Sequence, residues 1–282
     1  MRNPRERFII ISIFLILIFI IYATTVFSAG GLSLSAKSAA LYDPTSNSFL
    51  YTKNADTRLP MASTTKIMTA LVAIENSSLD KDVLVCDMAI GTEGSSLYLK
   101  KDEIMSMGDL LMGLMLRSAN DAAVAIAYEV AGSIEAFADK MNEKAAEIGA
   151  INTHFTNPHG LDDKNHYTTA TDLALIAAEA LKNDIFVEIV STKKCIIKNF
   201  DGDARLLINH NKLLTLYDGA IGVKTGFTKK SGRCLVGAAE RDGVRLIAVT
   251  INAPNDWNDH QTLFDFGFSK LKSSDLLYVI PF

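Results

Sequence analysis

The sequence predicts an α+β fold: an antiparallel sheet built from both chain ends, flanked by helices, with an inserted helical lobe. Two patterns carry this prediction. Strand-like segments lie near both ends of the chain, whereas residues from about 60 to 185 have mostly helical periodicity. One sheet made from both termini and covered by helices is the most economical way to bury the apolar faces of all these elements. A ligand site would then lie in the cleft between the sheet and the lobe.

The individual elements follow from local patterns. Asp43-Pro-Thr-Ser-Asn47 has turn chemistry and separates two strand-like runs, and Glu240-Arg-Asp-Gly243 predicts a hairpin turn between two others. Gly132 and Gly149 are stop signals for helices. The predicted strands cover residues 37–43, 48–51, 219–227, 234–239 and 244–251, and the predicted helices cover 63–76, 120–131, 134–148, 171–181 and 258–271.

Size and charge limit the class of protein. The chain has 282 residues, of which 49% are hydrophobic, enough for one large domain or two small ones with a sizeable core. The formal net charge of −4 argues against a nucleic-acid-binding protein, which would normally carry a basic excess. The three cysteines, Cys86, Cys195 and Cys234, have no metal-type spacing, and we expect all three to be small buried residues.

Residues 1–29 have the pattern of an export signal. Three arginines precede an apolar run that starts at Phe8, and small residues follow it, as in a secretory signal peptide cleaved after Ser28 or Ala29. The run to Phe27 is also long enough to span a bilayer, so a retained signal-anchor, with membrane attachment through residues 8–27, is an equal alternative. Either one places residues 30–282 outside the cytoplasm as a single domain, with a formal net charge of −6.

The candidate catalytic pair is Ser63 and Lys66. A serine and a lysine three residues apart lie on one face of a helix. The chain contains four Ser-x-x-Lys pairs, but only this one opens an apolar helix, where both side chains can be held against a packed background. A serine hydroxyl becomes a nucleophile when a base takes its proton, and a lysine is such a base if burial or another cation destabilises its ammonium form.

Two further motifs accompany this pair. Ser118-Ala-Asn120 is the only Ser-x-Asn in the chain and lies where a loop meets a helix, so that Ser118 could equally be an N-cap. Lys224-Thr-Gly226 is the only Lys-Thr-Gly and lies in a predicted strand, where Lys224 could equally be a solvated side chain. A glycine inside a strand, such as Gly226, often marks the close approach of a ligand or of another backbone.

The three motifs, in this order, match the set found in penicillin-binding proteins and class A β-lactamases, with Ala119 at the centre of the second motif. Over roughly residues 36 to 270 the sequence resembles the low-molecular-mass penicillin-binding proteins, which are serine-type D-alanyl-D-alanine carboxypeptidases. Segments 153–162 and 167–172 resemble that family's loop after the helical lobe. The resemblance implies a β-lactamase/transpeptidase-like fold, peptidoglycan peptide stems as substrates, β-lactam antibiotics as covalent inhibitors, and neither metal nor cofactor.

The resemblance also implies catalytic roles. Ser63 would attack the carbonyl carbon between the two D-alanines, with Lys66 as its general base. Ser118 would relay a proton to the leaving amine. Asn120 would hold the substrate amide and help to position Lys66.

The third motif and the residue after it would bind the substrate. Lys224 and Thr225 would hold the terminal carboxylate, and Lys224 would also disfavour the charged form of the general base. Gly226 completes the motif, and the backbone N–H of Phe227 would form the oxyanion hole with that of Ser63.

Other classes of protein stay open at this point. A class A β-lactamase needs a glutamate to activate the deacylating water, but Glu179-Ala-Leu-Lys-Asn183 misplaces the leucine of the Glu-x-x-Leu-Asn pattern and falls in a predicted helix. A zinc hydrolase could use His154, His159 and His166, which we interpret instead as loop-structuring residues because no compact ligand motif accompanies them. The remaining alternatives are an esterase of related fold and a non-catalytic envelope protein that binds muropeptides.

One departure from the family concerns the end of the chain. Many relatives have an additional C-terminal β-domain and an amphipathic anchoring helix. This sequence ends at Phe282, and we expect it to have no C-terminal β-domain. Membrane attachment, if present, would then come from residues 8–27.

Overall fold

The computed structural model describes residues 32–278. Within them, the residues from Leu34 onward form one unit. The predicted signal peptide or signal-anchor, including the attachment segment 8–27, lies outside the described residues. In the part of the chain that is described, none of the helices combines the length and the apolar character needed to cross a bilayer.

A five-stranded antiparallel sheet contains strands from both ends of the chain, in the order β2-β1-β9-β8-β7. The N-terminal strand β1 lies inside the sheet because it pairs with β2 on one side and with the C-terminal strand β9 on the other. This arrangement confirms the predicted α+β fold class. The strands are β1 (Ser38–Asp43), β2 (Ser48–Lys53), β7 (Ala220–Thr228), β8 (Gly232–Arg241) and β9 (Val244–Ile251).

Both predicted turns are confirmed. At the first, the Asp43 carboxylate accepts hydrogen bonds from the Thr45 N–H at 2.9 Å and the Ser46 hydroxyl at 2.6 Å, as an Asx-type turn requires. At the second, Arg241 pairs with Val244, which leaves a two-residue Asp-Gly turn whose φ angles are 52° and 78°. Positive φ at both positions gives the hairpin turn that suits the twist of antiparallel strands.

Eight helices are described, and most of them form the lobe. The first helix, α1, is central because it packs against each of α2 to α6. Side chains of Ser133, Thr169 and Asn183 cap three of the lobe helices, and Gly132 and Gly149 end two of them in the left-handed conformation, as predicted. The helices are α1 (Lys66–Asn76), α2 (Met107–Leu116), α3 (Asn120–Ala131), α4 (Ile134–Ile148), α5 (Ala170–Ala180), α6 (Asp184–Ser191), α7 (Leu213–Leu216) and α8 (Asp256–Tyr278).

The sheet is covered on both faces because alternate residues of a strand point to opposite sides. On one side, Ala40 and Tyr42 of β1 join the core shared with the lobe. On the other, Leu41 packs against α8 at Gly267, where an added Cβ would lie 2.7 Å from Leu41 Cδ2. The lobe and α8 therefore enclose the sheet between them.

Several short elements were not predicted. Two ladders lie beside the lobe: β3 (Asp82–Leu84) with β4 (Ile104–Ser106), and β5 (Lys194–Lys198) with β6 (Ala204–Ile208). Three-residue strands are too short to produce a periodic signal, and the helices α6 and α7 span only eight and four residues. The expectation for the cysteines is wrong for two of three, since Cys234 is buried but Cys86 and Cys195 are half-buried.

Candidate active site

Ser63 lies in a 3₁₀ turn, Ala62–Thr65, directly before α1. The Thr65 hydroxyl bonds back to the Ala62 carbonyl at 2.8 Å and stabilises the turn. The predicted α-helix over 63–76 therefore begins only at Lys66. The turn exposes Ser63 to a cavity, whereas Lys66, the first residue of the helix, is buried in the core.

The Lys66 amine is fully buried and lies 3.1 Å from Ser63 Oγ. Its Nζ donates to Asn120 Oδ1 at 2.6 Å and to the His159 carbonyl oxygen at 2.5 Å, both of which can only accept. A neutral amine has two N–H groups and one lone pair. In the neutral form, with its two N–H groups donated to these carbonyl-type acceptors, the amine would direct its lone pair at the Ser63 hydroxyl.

The electrostatic surroundings favour the neutral amine. Burial lowers the pKa of Lys66 well below the ordinary value, and the positive charge of Lys224 lowers it further, while the Asp121 carboxylate acts in the opposite direction. Burial also lowers the pKa of Lys224, to about 7. Lys224 thus acts on the pKa of Lys66 in the same direction as burial, which is the larger cause.

Asn120 is the first residue of α3 and is oriented by the neighbouring loop. Its Nδ2 donates to the Glu93 carbonyl at 2.5 Å, and its backbone N–H donates to the Ser95 carbonyl at 2.7 Å. Since the NH₂ group must face Glu93, the amide oxygen must face Lys66. The loop leaves no room here, because a Cβ on Gly94 would lie 2.7 Å from Asn120 Nδ2.

Ser118 does not cap α3. The N-cap position is Ala119, which has no side-chain hydrogen bond. Ser118 itself has a left-handed backbone, with φ of 60°, and lines the same cavity as Ser63. A positive φ is uncommon outside glycine. Among the described residues, no partner hydrogen-bonds the Ser118 hydroxyl, which leaves it available to a ligand.

The third motif lies on β7, the edge strand of the sheet, which packs against the Ser63 turn. Gly226 makes this packing possible: an added Cβ would lie 3.0 Å from the Ser63 backbone nitrogen. Thr225, Gly226 and Phe227 line the cavity. Lys224 is buried instead, and its Nζ donates to the Thr225 carbonyl at 3.0 Å, so it is not the solvated strand lysine that was the alternative.

These residues surround a cavity of about 860 Å³ between the sheet and the lobe, where the sequence predicted a site. Five predicted site residues line it, and the other three, Lys66, Asn120 and Lys224, lie buried beside them. The five are Ser63, Ser118, Thr225, Gly226 and Phe227.

The histidine loop supports the turn that carries Ser63. His166 Nε2 lies 2.8 Å from Thr65 Oγ1, and its Nδ1 accepts the Thr156 N–H at 3.0 Å, so both ring nitrogens have partners. Burial lowers the pKa of His166 to about 4 and that of His159 to about 3. His154 hydrogen-bonds the Asn165 carbonyl at 2.7 Å. These contacts agree with loop-structuring histidines, and no metal-type cluster of His, Cys, Asp or Glu occurs within residues 32–278.

Comparison with known proteins identifies the family. The family model described as D-alanyl-D-alanine carboxypeptidase, Peptidase S11, matches residues 24–255. The chain belongs to the D-alanyl-D-alanine carboxypeptidase family. This result confirms the resemblance inferred from the three motifs and the type of serine enzyme that they predict.

The relatives in this family have similar sequences. The D-alanyl-D-alanine carboxypeptidase DacF of Bacillus subtilis (strain 168) is 38% identical over 255 residues, covering 87% of this chain and 65% of the relative. The D-alanyl-D-alanine carboxypeptidase of Streptomyces sp. (strain K15) is 37% identical over 240 residues, covering 78% of this chain and 82% of the relative. The chain thus spans about two thirds of the Bacillus protein and most of the Streptomyces one.

A solved structure agrees with the family fold. The crystal structure of the Streptomyces K15 DD-transpeptidase superposes with a TM-score of 0.80 at 34% identity, covering 86% of this chain and 100% of that one. The likeness confirms the transpeptidase-like fold predicted from the sequence.

Sequence reasoning missed several residues of this candidate site. The carbonyls of His159 and Glu93 hold Lys66 and Asn120, and a backbone acceptor has no sequence signature. Arg233 also lines the cavity, in register with Phe227 across the β7–β8 pair. Its guanidinium pairs with Asp256 at 3.0 Å and lies 5.7 Å from the centre of the Trp257 ring.

Proposed function

We propose that the protein is a serine-type D-alanyl-D-alanine carboxypeptidase that removes the terminal D-alanine from peptidoglycan pentapeptide stems through an acyl-enzyme on Ser63. The proposal rests mainly on the Lys66 amine, which is buried 3.1 Å from Ser63 Oγ and has a pKa well below its ordinary value. The Asn120 amide oxygen and the His159 carbonyl oxygen accept hydrogen bonds from this amine. A base in this state can take the hydroxyl proton as the oxygen attacks.

Acylation would proceed in two proton transfers. Ser63 Oγ attacks the carbonyl carbon between the two D-alanines and its proton passes to Lys66 Nζ. The resulting ammonium is buried next to Lys224, where it is unfavourable. The proton therefore leaves readily, through the Ser118 hydroxyl, to the amine of the departing D-alanine. The ester on Ser63 is then hydrolysed by water.

Negative charge on the tetrahedral intermediate would be stabilised by the backbone N–H groups of Ser63 and Phe227. The close packing of Gly226 against the Ser63 nitrogen supports this assignment, because it brings the strand next to the turn. Two backbone donors directed at a developing oxyanion typically contribute several kcal/mol, about 3–4 for one donor.

The terminal carboxylate of the substrate would be bound by Thr225, Lys224 and Arg233. Lys224 is 1% exposed, whereas the Arg233 side chain is 44% exposed and lines the cavity. A guanidinium presents a fork of donors that matches a carboxylate. The pairing of Arg233 with the buried Asp256 leaves part of this fork free and fixes its position.

A class A β-lactamase receives no support from the cavity. Glu179 lies in α5, pairs with Lys182 at 2.6 Å and lines a different cavity, beside Tyr42 and Arg245. Of the described residues that line the Ser63 cavity, none is a glutamate. β-Lactams would therefore acylate Ser63 and be released slowly.

The proposal places the enzyme outside the cytoplasm, with residues 1–29 as a signal peptide or signal-anchor and residues 30–282 as one catalytic domain. Its substrates would be peptidoglycan stems at the cell envelope. N-terminal sequencing of the membrane fraction checks attachment through residues 8–27, and a mature start near residue 30 in that fraction would contradict it.

The first test is covalent labelling with a fluorescent penicillin. We expect the wild-type chain to be labelled and Ser63→Ala to lose the label completely. Ser95→Ala is the matched control, because Ser95 lines the same cavity and the substitution keeps its backbone carbonyl, which accepts from Asn120, while removing a hydroxyl with no assigned role. An adduct that survives Ser63→Ala would contradict the proposal.

The second arm separates the activities. We expect release of D-alanine from a pentapeptide stem and slow turnover of the penicillin. Absence of any label on the wild-type chain would favour the non-catalytic muropeptide-binding alternative, and rapid penicillin hydrolysis without D-alanine release would favour a β-lactamase.

A further inference from the structure

The β5–β6 hairpin exposes apolar side chains on the face that an antiparallel ribbon normally leaves polar. Its register places Ile196 opposite Leu206, and Lys194 opposite Ile208. Ile196 is 64% exposed, Leu206 61% and Ile208 54%. Phe200, in the connecting turn, is 74% exposed. We call Ile196, Phe200, Leu206 and Ile208 the hairpin patch.

This exposure does not result from a detached hairpin. The opposite face is packed, since Ile197 and Leu207 are each 2% exposed and belong to the main core. Arg205 also ties the hairpin to the domain by donating to the Leu97 carbonyl at 3.0 Å and to a Glu103 carboxylate oxygen at 3.0 Å. The packed inner face therefore fixes the hairpin to the domain while the hairpin patch faces solvent. Exposed apolar patches usually mark a contact surface.

The charges around the patch are mainly positive. Lys194 and Lys198 are exposed on the same face as the apolar residues, and Lys193 precedes them. Of the two acidic residues in the turn region, Asp203 pairs with Lys100 at 3.0 Å and Asp201 is exposed. Residues 193–208 carry four basic and two acidic side chains, but Arg205 pairs with Glu103 on the packed face, which leaves three exposed lysines and two exposed aspartates around the patch.

Lysine next to exposed Ile, Leu and Phe favours one kind of partner. Protein interfaces are depleted in lysine relative to the rest of the surface. Segments that lie on membranes instead combine apolar side chains, which enter the boundary of the acyl chains, with lysines that contact anionic headgroups. The composition of the hairpin patch and its lysines matches the second case.

We propose that the hairpin patch docks on an anionic lipid surface. Two features of the chain agree with this. Only ten residues, 28–37, separate the apolar run that ends at Phe27 from β1, a span of at most about 35 Å, so a bilayer holding that run would be within reach of the domain. In addition, β6 leads directly into Asn209 and His210, which line the active-site cavity. Docking would therefore hold the cavity close to the membrane surface. The docking proposal does not depend on the proposed catalytic activity.

The test uses the full chain and a tryptophan placed in the patch. The chain has a single tryptophan, Trp257, so the variant Phe200→Trp adds one reporter to a constant background. Ile151→Trp is the matched control, because Ile151 is 79% exposed but lies outside the hairpin. Each protein is mixed with vesicles of brominated phosphatidylcholine and phosphatidylglycerol, whose bromines quench a tryptophan that enters the bilayer.

We expect a clear loss of fluorescence for Phe200→Trp and none beyond the wild-type background for Ile151→Trp. The loss should decrease in vesicles of brominated phosphatidylcholine alone, and when Lys194→Glu and Lys198→Glu are added. Far-UV circular dichroism of each variant confirms that it is folded.

Equal quenching of the two reporters would overturn the proposal, because the apolar N-terminal run alone would then explain vesicle binding. An unquenched Phe200→Trp would overturn it too. So would self-association that Leu206→Ser abolishes, which would assign the patch to a second copy of the chain.

Discussion

Lys66 shows how the surroundings of one residue change the pKa of its side chain. An ammonium group can donate three hydrogen bonds, but only two obligate acceptors, Asn120 Oδ1 and the His159 carbonyl, surround the Lys66 amine, and the third neighbour is the Ser63 hydroxyl. Burial then penalises the charged form, and Lys224 adds to the penalty. Because a hydroxyl can donate or accept, this geometry accommodates either protonation state, and it is burial together with Lys224 that favours the neutral amine.

The charge of Lys224 should control the pH dependence of acylation. In the proposed mechanism neutral Lys66 is the reactive form, so the rate should fall as the pH drops through the Lys66 pKa. Below about pH 7 Lys224 is charged and holds that pKa down. Replacing Lys224 by Met removes the charge, and we expect the acidic limb of the penicillin acylation rate to move to higher pH, whereas Lys224→Arg should leave it in place. An unshifted limb in Lys224→Met would rule out this electrostatic role.

Arg233 provides a second prediction at this scale. Arg233→Ala should lower kcat/KM for a pentapeptide by about 10-fold to 100-fold, mainly through KM, because a hydrogen bond to a charged group contributes roughly 1.5–3 kcal/mol. Lys212→Ala is the control, since Lys212 is another cation lining the cavity.

Because Arg233→Ala also leaves the buried Asp256 unpaired, Arg233→Lys is needed as a second variant. It keeps the charge and should recover part of the affinity. If KM is unchanged in both Arg233 variants, the carboxylate does not bind at Arg233.

At the scale of elements, the loop around Gly160 and the 3₁₀ turn of Ser63 form one assembly. Gly160 has φ of 89°, and an added Cβ would lie 2.0 Å from the Ala62 carbonyl oxygen. The preceding residue, His159, supplies the carbonyl that holds Lys66. The backbone of the loop therefore packs directly against the backbone of the Ser63 turn. Glycine is needed at position 160 because the φ angle is positive and because a side chain would not fit.

Gly160→Ala should displace the turn. We expect it to abolish most penicillin acylation and to lower the free energy of unfolding by about 1–3 kcal/mol, the usual cost of overpacking. Gly149→Ala is a matched control, because Gly149 has a similar φ of 86° but nothing within 4 Å of an added Cβ. If Gly160→Ala acylates as well as Gly149→Ala, contact of the loop with the Ser63 turn does not control acylation.

For the whole molecule, buried neutral histidines link stability to pH. Burial lowers the pKa of His159 and His260 to about 3 and that of His166 to about 4, from 6.5 in an ordinary histidine. Between about pH 4 and 6.5 the unfolded chain therefore binds more protons than the folded one. The free energy of unfolding should fall as the pH falls through this window.

His260 allows a test away from the cavity. It lies in α8 and its Nε2 is 3.2 Å from the Leu235 carbonyl. Denaturant unfolding between pH 4 and 6.5 should show a shallower pH dependence for His260→Gln than for the wild-type chain. An identical slope would mean that His260 is not held neutral in the folded protein.

The arrangement of the sheet was predictable because its signals are local. Each long strand has its own composition, and the Asp-Pro and Asp-Gly turns are marked by the residues that form them. The β5–β6 hairpin was missed because its outer face is apolar, which removes the alternation that identifies a half-buried strand. Its pairing depends on packing against the lobe, which the segment itself does not encode.

The three motifs and the one-turn separation of Ser63 and Lys66 can be read from the chain directly, since both are properties of neighbouring residues. The contacts of the Lys66 amine depend on how distant segments pack. Asn120 lies 54 residues away along the chain and His159 lies 93 away, and one of these contacts is a backbone carbonyl that any residue could supply. The lowered pKa of Lys66 depends on burial and on Lys224, which lies on the edge strand β7. The proposed reactivity of this site thus depends on long-range packing, whereas the motif side chains themselves can be recognised from their spacing along the chain.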